Sequence, residues 1–410
     1  MRGHVRKRGT WQYILELGDQ PTKRCTICNK RHWVGRRPIR VCVKCGGSLV
    51  DRIERKQQVK TGFKTKKEAE GALADALTAL RQQTYVEPTK LTVREFLEGE
   101  WLPAIETTIR PATYASYSTH VRVHIVPNIG TVMLQSLTAG HLNRLYADLA
   151  RDGKRRGDGK LSASSVRRVH ATLHRALRDA CRWGYLVRNP AENADPPRAS
   201  DPTLSANRAW QAEDLKTFLE AVKEDRLYPL WLTLGLTGLR RGEALGLLWQ
   251  DVDLKAGRLV VRRSRVPVNA KVVVSEPKTK RGHRSVTLDS LTVAALKTWH
   301  KRQLEERVEW RGAWNDTGLV FTREDGTGWR PERISQMFAR LVKKAKVPAI
   351  TVHGLRHTHA TLALMAGINP RVVADRLGHS TVALTLDVYS HAIPSMEEEA
   401  AARIAALVTG

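Results

Sequence analysis

The 410-residue chain is 41% hydrophobic and carries 69 Lys and Arg against 41 Asp and Glu, a formal charge of +28. That length supports two or three domains with cores of their own, and the charge points to a polyanionic partner, nucleic acid first, rather than an acidic small molecule. The start of the chain lacks the apolar core of a signal peptide, and the longest largely apolar run, 227–239, is too short to cross a bilayer. A cytoplasmic protein with no membrane partner is expected.

Half of the surplus charge sits at the front, where residues 1–66 hold 18 Lys or Arg against 4 Asp or Glu, a surplus of 14. Within this basic arm, HVRKRGTWQYILELG has a glycine turn followed by alternating Trp11, Tyr13 and Leu15, the pattern of a β-hairpin. A third strand ends near Lys60. Thr65 to Glu68 then has capping-box spacing and opens a helix whose apolar stripe is Ala69, Leu73, Ala76, Leu77 and Leu80. Into this α+β domain, 1–86, an insertion at about 21–50 brings Cys25-Thr26-Ile27-Cys28 and, after thirteen residues, Cys42-Val43-Lys44-Cys45. Two CxxC turns aim four soft ligands at one centre, which suits a structural tetrahedral Zn²⁺ with no open position, a zinc ribbon; a redox dithiol pair is the rival reading.

A short Pro-containing linker precedes a second capping box, Thr92 to Glu95, and four helices are expected over 92–105, 111–126, 138–151 and 162–185. The last has the stripe Val166, Val169, Leu173, Leu177, Ala180 and Trp183, with Cys181 beside it as a small buried residue. This all-α domain spans 91–188. Four prolines in polar surroundings mark 189–206 as an interdomain linker.

From Trp210 the chain mixes helices with a compact β-hairpin region, 207–394. In TGLRRGEALGLLWQDVD, Arg240 follows a Thr-Gly-Leu turn and begins a helix, with Glu243 one turn along to orient its guanidinium. Strands are expected at 259–263, 272–274 and 285–288, with PKTKRGHR between the last two. His353 and Arg356 share one face near a helix start, the end that attracts phosphate. Leu377-Gly378-His379 closes a helix with a glycine turn, and ten residues later comes Tyr389-Ser390-His391, where a tyrosine nucleophile is possible chemistry. His357 and His359 invite a metal reading, but no carboxylate or cysteine stands at suitable spacing. A tail, 395–410, has a short amphipathic helix with Ile404, Leu407 and Val408 on one face.

The ordered blocks H-x-x-R, L-G-H and Y-x-H, preceded by the Arg240 block, resemble the C-terminal signature of the tyrosine recombinases, the phage integrase family. The N-terminal strands and GFKTKKEAE resemble the family's arm-DNA-binding domain, which typically lacks the cysteine ribbon. PNIG and GYLVRNPA in the helical stretch resemble its core-binding domain. The resemblance implies a catalytic set of Arg240, Lys278, His353, Arg356, His379 and Tyr389, with Lys280 as the alternative lysine and Arg281 and Arg284 as phosphate contacts. It implies double-stranded attachment sites as substrate, a homotetramer on DNA with tails docked in trans, DNA-bending and excision accessory proteins, and no need for ATP or a catalytic metal. The expected activity is site-specific integration or excision through a 3′-phosphotyrosyl intermediate in a bacterial host. A silent DNA-binding regulator of the same fold and a type IB topoisomerase are the alternatives.

Overall fold

The computed structural model describes residues 3–33, 41–82, 84–153, 159–198, 209–269, 271–275, 283–379, 381–386 and 405. These fall into two compact units, one drawn from 1–101, 124–159 and 168–196, the other from 102–123, 160–167 and 197–410. The chain is mainly helical with small antiparallel sheets, and among the described residues no helix is long and apolar enough to cross a membrane.

The first unit opens with β1 (Gly3–Arg8), β2 (Thr10–Cys25), β3 (Arg31–Trp33) and β4 (Leu49–Phe63). Gly9, at a φ of 75°, makes the tight reversal between β1 and β2 that a side chain would strain. β2 is central, paired with β4 on one edge and with β1 and then β3 on the other. Three strands are expected from the sequence; the fourth, β3, pairs with the far end of β2. The cysteine ribbon is carried on the far ends of β2 and β4, which run on to Cys25 and Leu49. Strict alternation also fails. Gln12, Tyr13, Ile14 and Leu15 are all buried, next to a register irregularity between Trp11 and Tyr13.

α1 (Lys66–Arg81) starts at the expected capping box, with the Glu68 N–H donating to Thr65 Oγ1 at 3.2 Å, and its Leu73 and Ala76 pack on Tyr13 and Leu15. The second capping box also forms, the Thr92 N–H donating to Glu95 at 2.8 Å. The helical segment that it opens is not a plain α-helix. Glu95–Trp101 is π-helical before α2 (Leu102–Ile105), and α3 (Pro111–Thr119) likewise runs through a π-helical His120–Ile125 into α4 (Val126–Ile129). A wider turn aligns residues five apart, which lets Phe96 and Trp101 both face inward; 3.6-residue periodicity would separate them. α5 (Ala139–Asp152) and α6 (Ala163–Arg182) lie where expected. Asp179 on α6 accepts the Trp101 indole N–H at 2.9 Å, and Phe96 meets Tyr185 edge-on at 5.4 Å. The expected stripe is buried from Val166 to Ala180, while Cys181 is half-buried, its thiol raised by that burial.

In the second unit, α7 (Ala212–Ala221), α8 (Tyr228–Thr237) and α9 (Arg241–Leu245) lead to a three-stranded sheet of β5 (Val252–Asp253), β6 (Arg258–Val261) and β9 (Arg284–Thr287). A separate hairpin of β7 (Ser264–Val268) and β8 (Lys271–Ser275) lies between. β7 is absent from the sequence expectation; it contains Pro267, and in a two-stranded ribbon one backbone edge is unpaired and a missing N–H is tolerated. Then come α10 (Ser290–Trp310), α11 (Pro331–Ala345), α12 (Val352–Met365), α13 (Pro370–Leu377) and α14 (Ala383–Leu386).

The core of this unit is an aromatic cluster in which Phe338 of α11 lies 5.3 Å from Phe218, 5.7 Å from Trp231 and 6.0 Å from Trp210. Trp210 also ties the unit together, its backbone N–H donating to Thr358 at 2.9 Å and its indole to the Pro348 carbonyl at 2.7 Å. Phe338→Ala removes the ring shared by all three neighbours and is expected to lower stability by roughly 3–5 kcal/mol. Urea unfolding followed by tryptophan fluorescence measures it, and a loss below about 1 kcal/mol would contradict this account of the core.

Candidate active site

Two left-handed glycines set the geometry. α8 stops at Gly238, φ 65°, where a Cβ would come within 2.5 Å of Leu377 and 2.8 Å of His359, so neither the backbone angle nor the space admits a side chain. The reversal makes Arg240 the residue that caps α9. Its backbone N–H donates to Glu243 Oε2 at 2.9 Å and its Nη1 to Oε1 at 2.8 Å, while the side chain stays 42% exposed. α13 ends in the same way at Gly378, φ 69°, which sends His379 back over the helix end with its N–H on the Ala374 carbonyl.

Thr351 caps α12 through the Gly354 N–H, and one turn later Arg356 points inward, 3% exposed. Its Nη1 donates to the Gly238 carbonyl at 2.9 Å and its Nη2 to Leu377 at 2.7 Å, while Arg240 Nη2 reaches the next carbonyl, Gly378, at 3.4 Å. Both guanidinium groups thus hang from one corner, the place where the ends of α8 and α13 meet. Burial and then Arg240 bring Arg356 down to about 9, which leaves it a cation at neutral pH.

His353 and His379 belong to the same electrostatic neighbourhood. The His353 ring meets His357 edge-on at 4.7 Å. It is open to solvent on one side and packed on the other. That packing, with His357, Arg356 and Arg240, depresses it to about 4. His379 is depressed to about 4 by burial, Arg356 and Arg240. Both imidazoles are neutral at pH 7, so they offer a lone pair or an N–H without adding charge.

His359, the tempting third histidine, is occupied structurally: its Nε2 accepts from Arg376 at 3.2 Å, and burial first, then Arg376, bring its pKa down to about 4 against the opposing pull of a backbone hydrogen bond with Gly235. Among the described residues, no cluster with metal-ligand geometry includes it.

Arg284 requires a correction. The sequence reading makes it a phosphate contact, yet it is 8% exposed, with Nη2 2.9 Å and Nη1 3.2 Å from the two oxygens of Glu243 and Nε on the Arg376 carbonyl at 2.7 Å. Arg376 in turn donates to the carbonyls of Thr287 and Leu236. The signal was present in period two: Arg284, Val286 and Leu288 share the buried face of their strand. Lys278, Lys280, Arg281, Tyr389, His391 and the tail other than Ala405 lie outside the described residues.

A groove of about 500 Å³ in the first unit, lined by Val86, Gln135, Tyr185 and Arg188 among others, contains none of these groups. Of the two arginines of the set, Arg240 is the solvent-facing one and Arg356 is buried.

The first unit holds a different cluster. The sulfurs of Cys25, Cys28, Cys42 and Cys45 all lie within 4.8 Å of one another, and the four can hold a metal ion. Backbone N–H groups of Ile27 and Cys28 donate to Cys25 Sγ at 3.4 Å, and that of Lys44 to Cys42 Sγ at 3.4 Å. The Cys28 N–H leads in pulling the Cys25 thiol down to about 6. At Cys42 burial opposes ionisation, but donors including Lys44 and His32 bring it to about 7. Cys45 is pushed up to about 12, the Gly47 N–H being outweighed by the Cys28 and Cys25 sulfurs. Four sulfurs crowded in this way are a soft donor set that fits a metal ion. Buried His32, whose Nε2 lies 3.2 Å from Cys42 Sγ, was not singled out from the sequence.

Residues 208–396 match the model of the phage integrase family, and residues 92–150 that of the phage integrase N-terminal SAM-like domain. The chain is 28% identical over 382 residues to a tyrosine recombinase XerC-like protein of Caldanaerobacter subterraneus subsp. tengcongensis, covering 89% of this chain and 95% of that protein. It is 27% identical to the ICEBs1 integrase of Bacillus subtilis, over 74% of this chain and 80% of that one. In fold it is similar to the Tn1549 transposon integrase in complex with a circular intermediate DNA, with a TM-score of 0.62, 21% identity, and 75% and 99% of the two chains covered. It is also similar to a lambda integrase tetramer bound to a Holliday junction, with a TM-score of 0.53, 16% identity and 94% of each chain covered.

A histidine whose folded pKa is depressed costs stability as pH falls, because the unfolded chain takes up the proton first. The loss begins near the ordinary value of 6.5 and grows until about 4. His359 must also give up the bond from Arg376 when it is protonated. Between pH 7 and 5 the protein should lose stability, with ~2 kcal/mol of the loss due to His359. His359→Gln should flatten the pH dependence of chemical denaturation by that amount; an unchanged slope would refute the assignment.

Proposed function

The chain belongs to the phage integrase family, a site-specific DNA recombinase of the tyrosine type, and on that premise we propose that its Arg and His cluster binds and activates the scissile phosphodiester. The observation that carries this reading is the pair of guanidinium groups, Arg240 and Arg356, hung from one backbone corner between two neutral imidazoles.

A phosphodiester repels nucleophiles, and attack on it builds further charge on the non-bridging oxygens. Two fixed cations offset that charge as it develops. In the proposed sequence Tyr389 Oη attacks phosphorus while its proton passes to His353, which is neutral and so able to accept it. His379 donates a hydrogen bond to a phosphate oxygen. The P–O5′ bond breaks, and the 5′-oxygen takes a proton from Lys278, with Lys280 as the alternative donor. The products are a 3′-phosphotyrosyl ester and a free 5′-hydroxyl. Attack by another strand's 5′-hydroxyl reverses the chemistry and regenerates the phenol, so no ATP and no catalytic metal enter the balance.

The same reading supplies the partners: double-stranded attachment sites, a homotetramer on DNA with tail segments docked between protomers, and bending and excision accessory proteins, in a bacterial cytoplasm. The basic sheet of 1–86 is proposed to read arm sites, the helical 91–188 to clamp the core site, and 207–394 to carry the chemistry. In the ribbon, Cys25, Cys28, Cys42 and Cys45 would hold a structural Zn²⁺. Four thiolates in tetrahedral contact stand roughly 4 Å apart, and Cys25 and Cys45 are 3.4 Å apart, Cys28 and Cys42 3.6 Å. The ion would neutralise their charge and pin the far ends of β2 and β4.

A nicked attachment-site duplex whose short cleaved fragment diffuses away should trap the full-length protein as a covalent adduct. Tyr389→Phe should abolish the adduct with duplex affinity within about threefold. Arg240→Gln should slow its formation by about 10²- to 10³-fold. Absence of an adduct with the wild-type chain would favour a silent DNA-binding regulator, and plasmid relaxation without joining of two sites would favour a topoisomerase. For the ribbon, metal analysis should give one zinc per chain, and Cys42→Ser should release it and lower the melting temperature. A metal-free wild-type chain of unchanged stability would remove the zinc.

A further inference from the structure

We propose that Arg284 is a positioning residue for Arg240, acting through Glu243; the inference rests on the recombinase reading and adds a residue to it. Each oxygen of the Glu243 carboxylate takes one bond from each arginine. Oε1 accepts from Arg240 Nη1 at 2.8 Å and Arg284 Nη1 at 3.2 Å, and Oε2 from the Arg240 backbone N–H at 2.9 Å and Arg284 Nη2 at 2.9 Å. The fork of Arg284 lies along one edge of the carboxylate and fixes its plane, so Arg240 meets an acceptor that cannot rotate. Arg284 is held in turn, since its Nε donates to the Arg376 carbonyl and Arg376 bonds the Thr287 carbonyl of the same strand.

Charge makes the second half of the argument. Arg240 and Glu243 alone would form a neutral pair, which offers little to an incoming phosphate. Adding Arg284 restores a net positive charge to the group, and Arg240 is its solvent-facing member: its side chain is 42% exposed, whereas Glu243 is 4% and Arg284 8% exposed. Arg284 therefore sets both the direction and the effective charge of Arg240 without touching DNA.

The experiment uses the full-length protein and a nicked duplex carrying a sequence at which the wild-type chain forms its covalent adduct. Arg284→Gln should slow single-turnover adduct formation about 10²-fold while duplex affinity stays within about twofold. Arg284→Lys, which restores one charged donor, should recover at least about tenfold of that loss. In a Glu243→Gln background, Arg284→Gln should add less than about threefold, because its effect passes through the carboxylate. A rate within about threefold of wild type, an equal loss of duplex affinity, or a multiplicative double variant would each overturn the proposal. A wild-type chain that forms no adduct would instead sink the recombinase reading. The positioning claim is then decided by nitrogen NMR of the Arg240 guanidinium, ordered in the wild type and Arg284→Lys but averaged in Arg284→Gln if it holds, and unchanged in Arg284→Gln if it does not.

Discussion

The buried carboxylate of Glu243 is the constraint on which the candidate active site depends. Burial by itself raises a carboxyl group's pKa, yet Arg284 and Arg240 outweigh it and hold Glu243 down at about 2. An ion pair this deep contributes little net stability relative to a well-packed apolar replacement, but removing one partner leaves a stranded charge and typically costs roughly 3–5 kcal/mol. What the arrangement secures is direction. It links α9, β9 and, through the Arg376 carbonyl, the end of α13.

Around that hub the backbone does much of the placing. Gly238 and Gly378 both adopt left-handed angles, and the carbonyls of Gly238, Leu377 and Gly378 accept from the two guanidinium groups. Carbonyls at helix C-termini carry partial negative charge, so two arginines can share one corner despite their repulsion. The cost is visible in Arg356, whose affinity for its proton is reduced by burial and by Arg240. The neighbouring imidazoles shed their protons for the same reasons. Glu243 offsets one of the two arginines it binds, so the cluster keeps a net positive charge.

The N-terminal ribbon solves the converse problem. There, four sulfurs crowd together at the ends of two long strands, and the fold lowers two thiols while pushing Cys45 up. The four sulfurs lie close enough together to hold a metal ion, as the guanidinium groups hold Glu243 in the other unit. Each is a local charge problem that the surrounding backbone has been shaped to fit.

Sequence alone determined what depends on local spacing. The capping boxes at Thr65 and Thr92, the stripe from Val166 to Ala180, the paired CxxC turns, the Arg240 helix start and the glycine stop at Gly378 are short-range patterns, and each appears where its spacing puts it. Tertiary structure decided what depends on residues far apart in the chain. Arg284 reads as one more basic residue beside PKTKRGHR, and only the pairing of β6 with β9 and the packing of α9 turn it inward onto Glu243, 41 positions away. His359 reads like its neighbours until Arg376 occupies it. The π-helical turns and the strand around Pro267 were equally hidden, because local propensity cannot report which face a long-range core will demand.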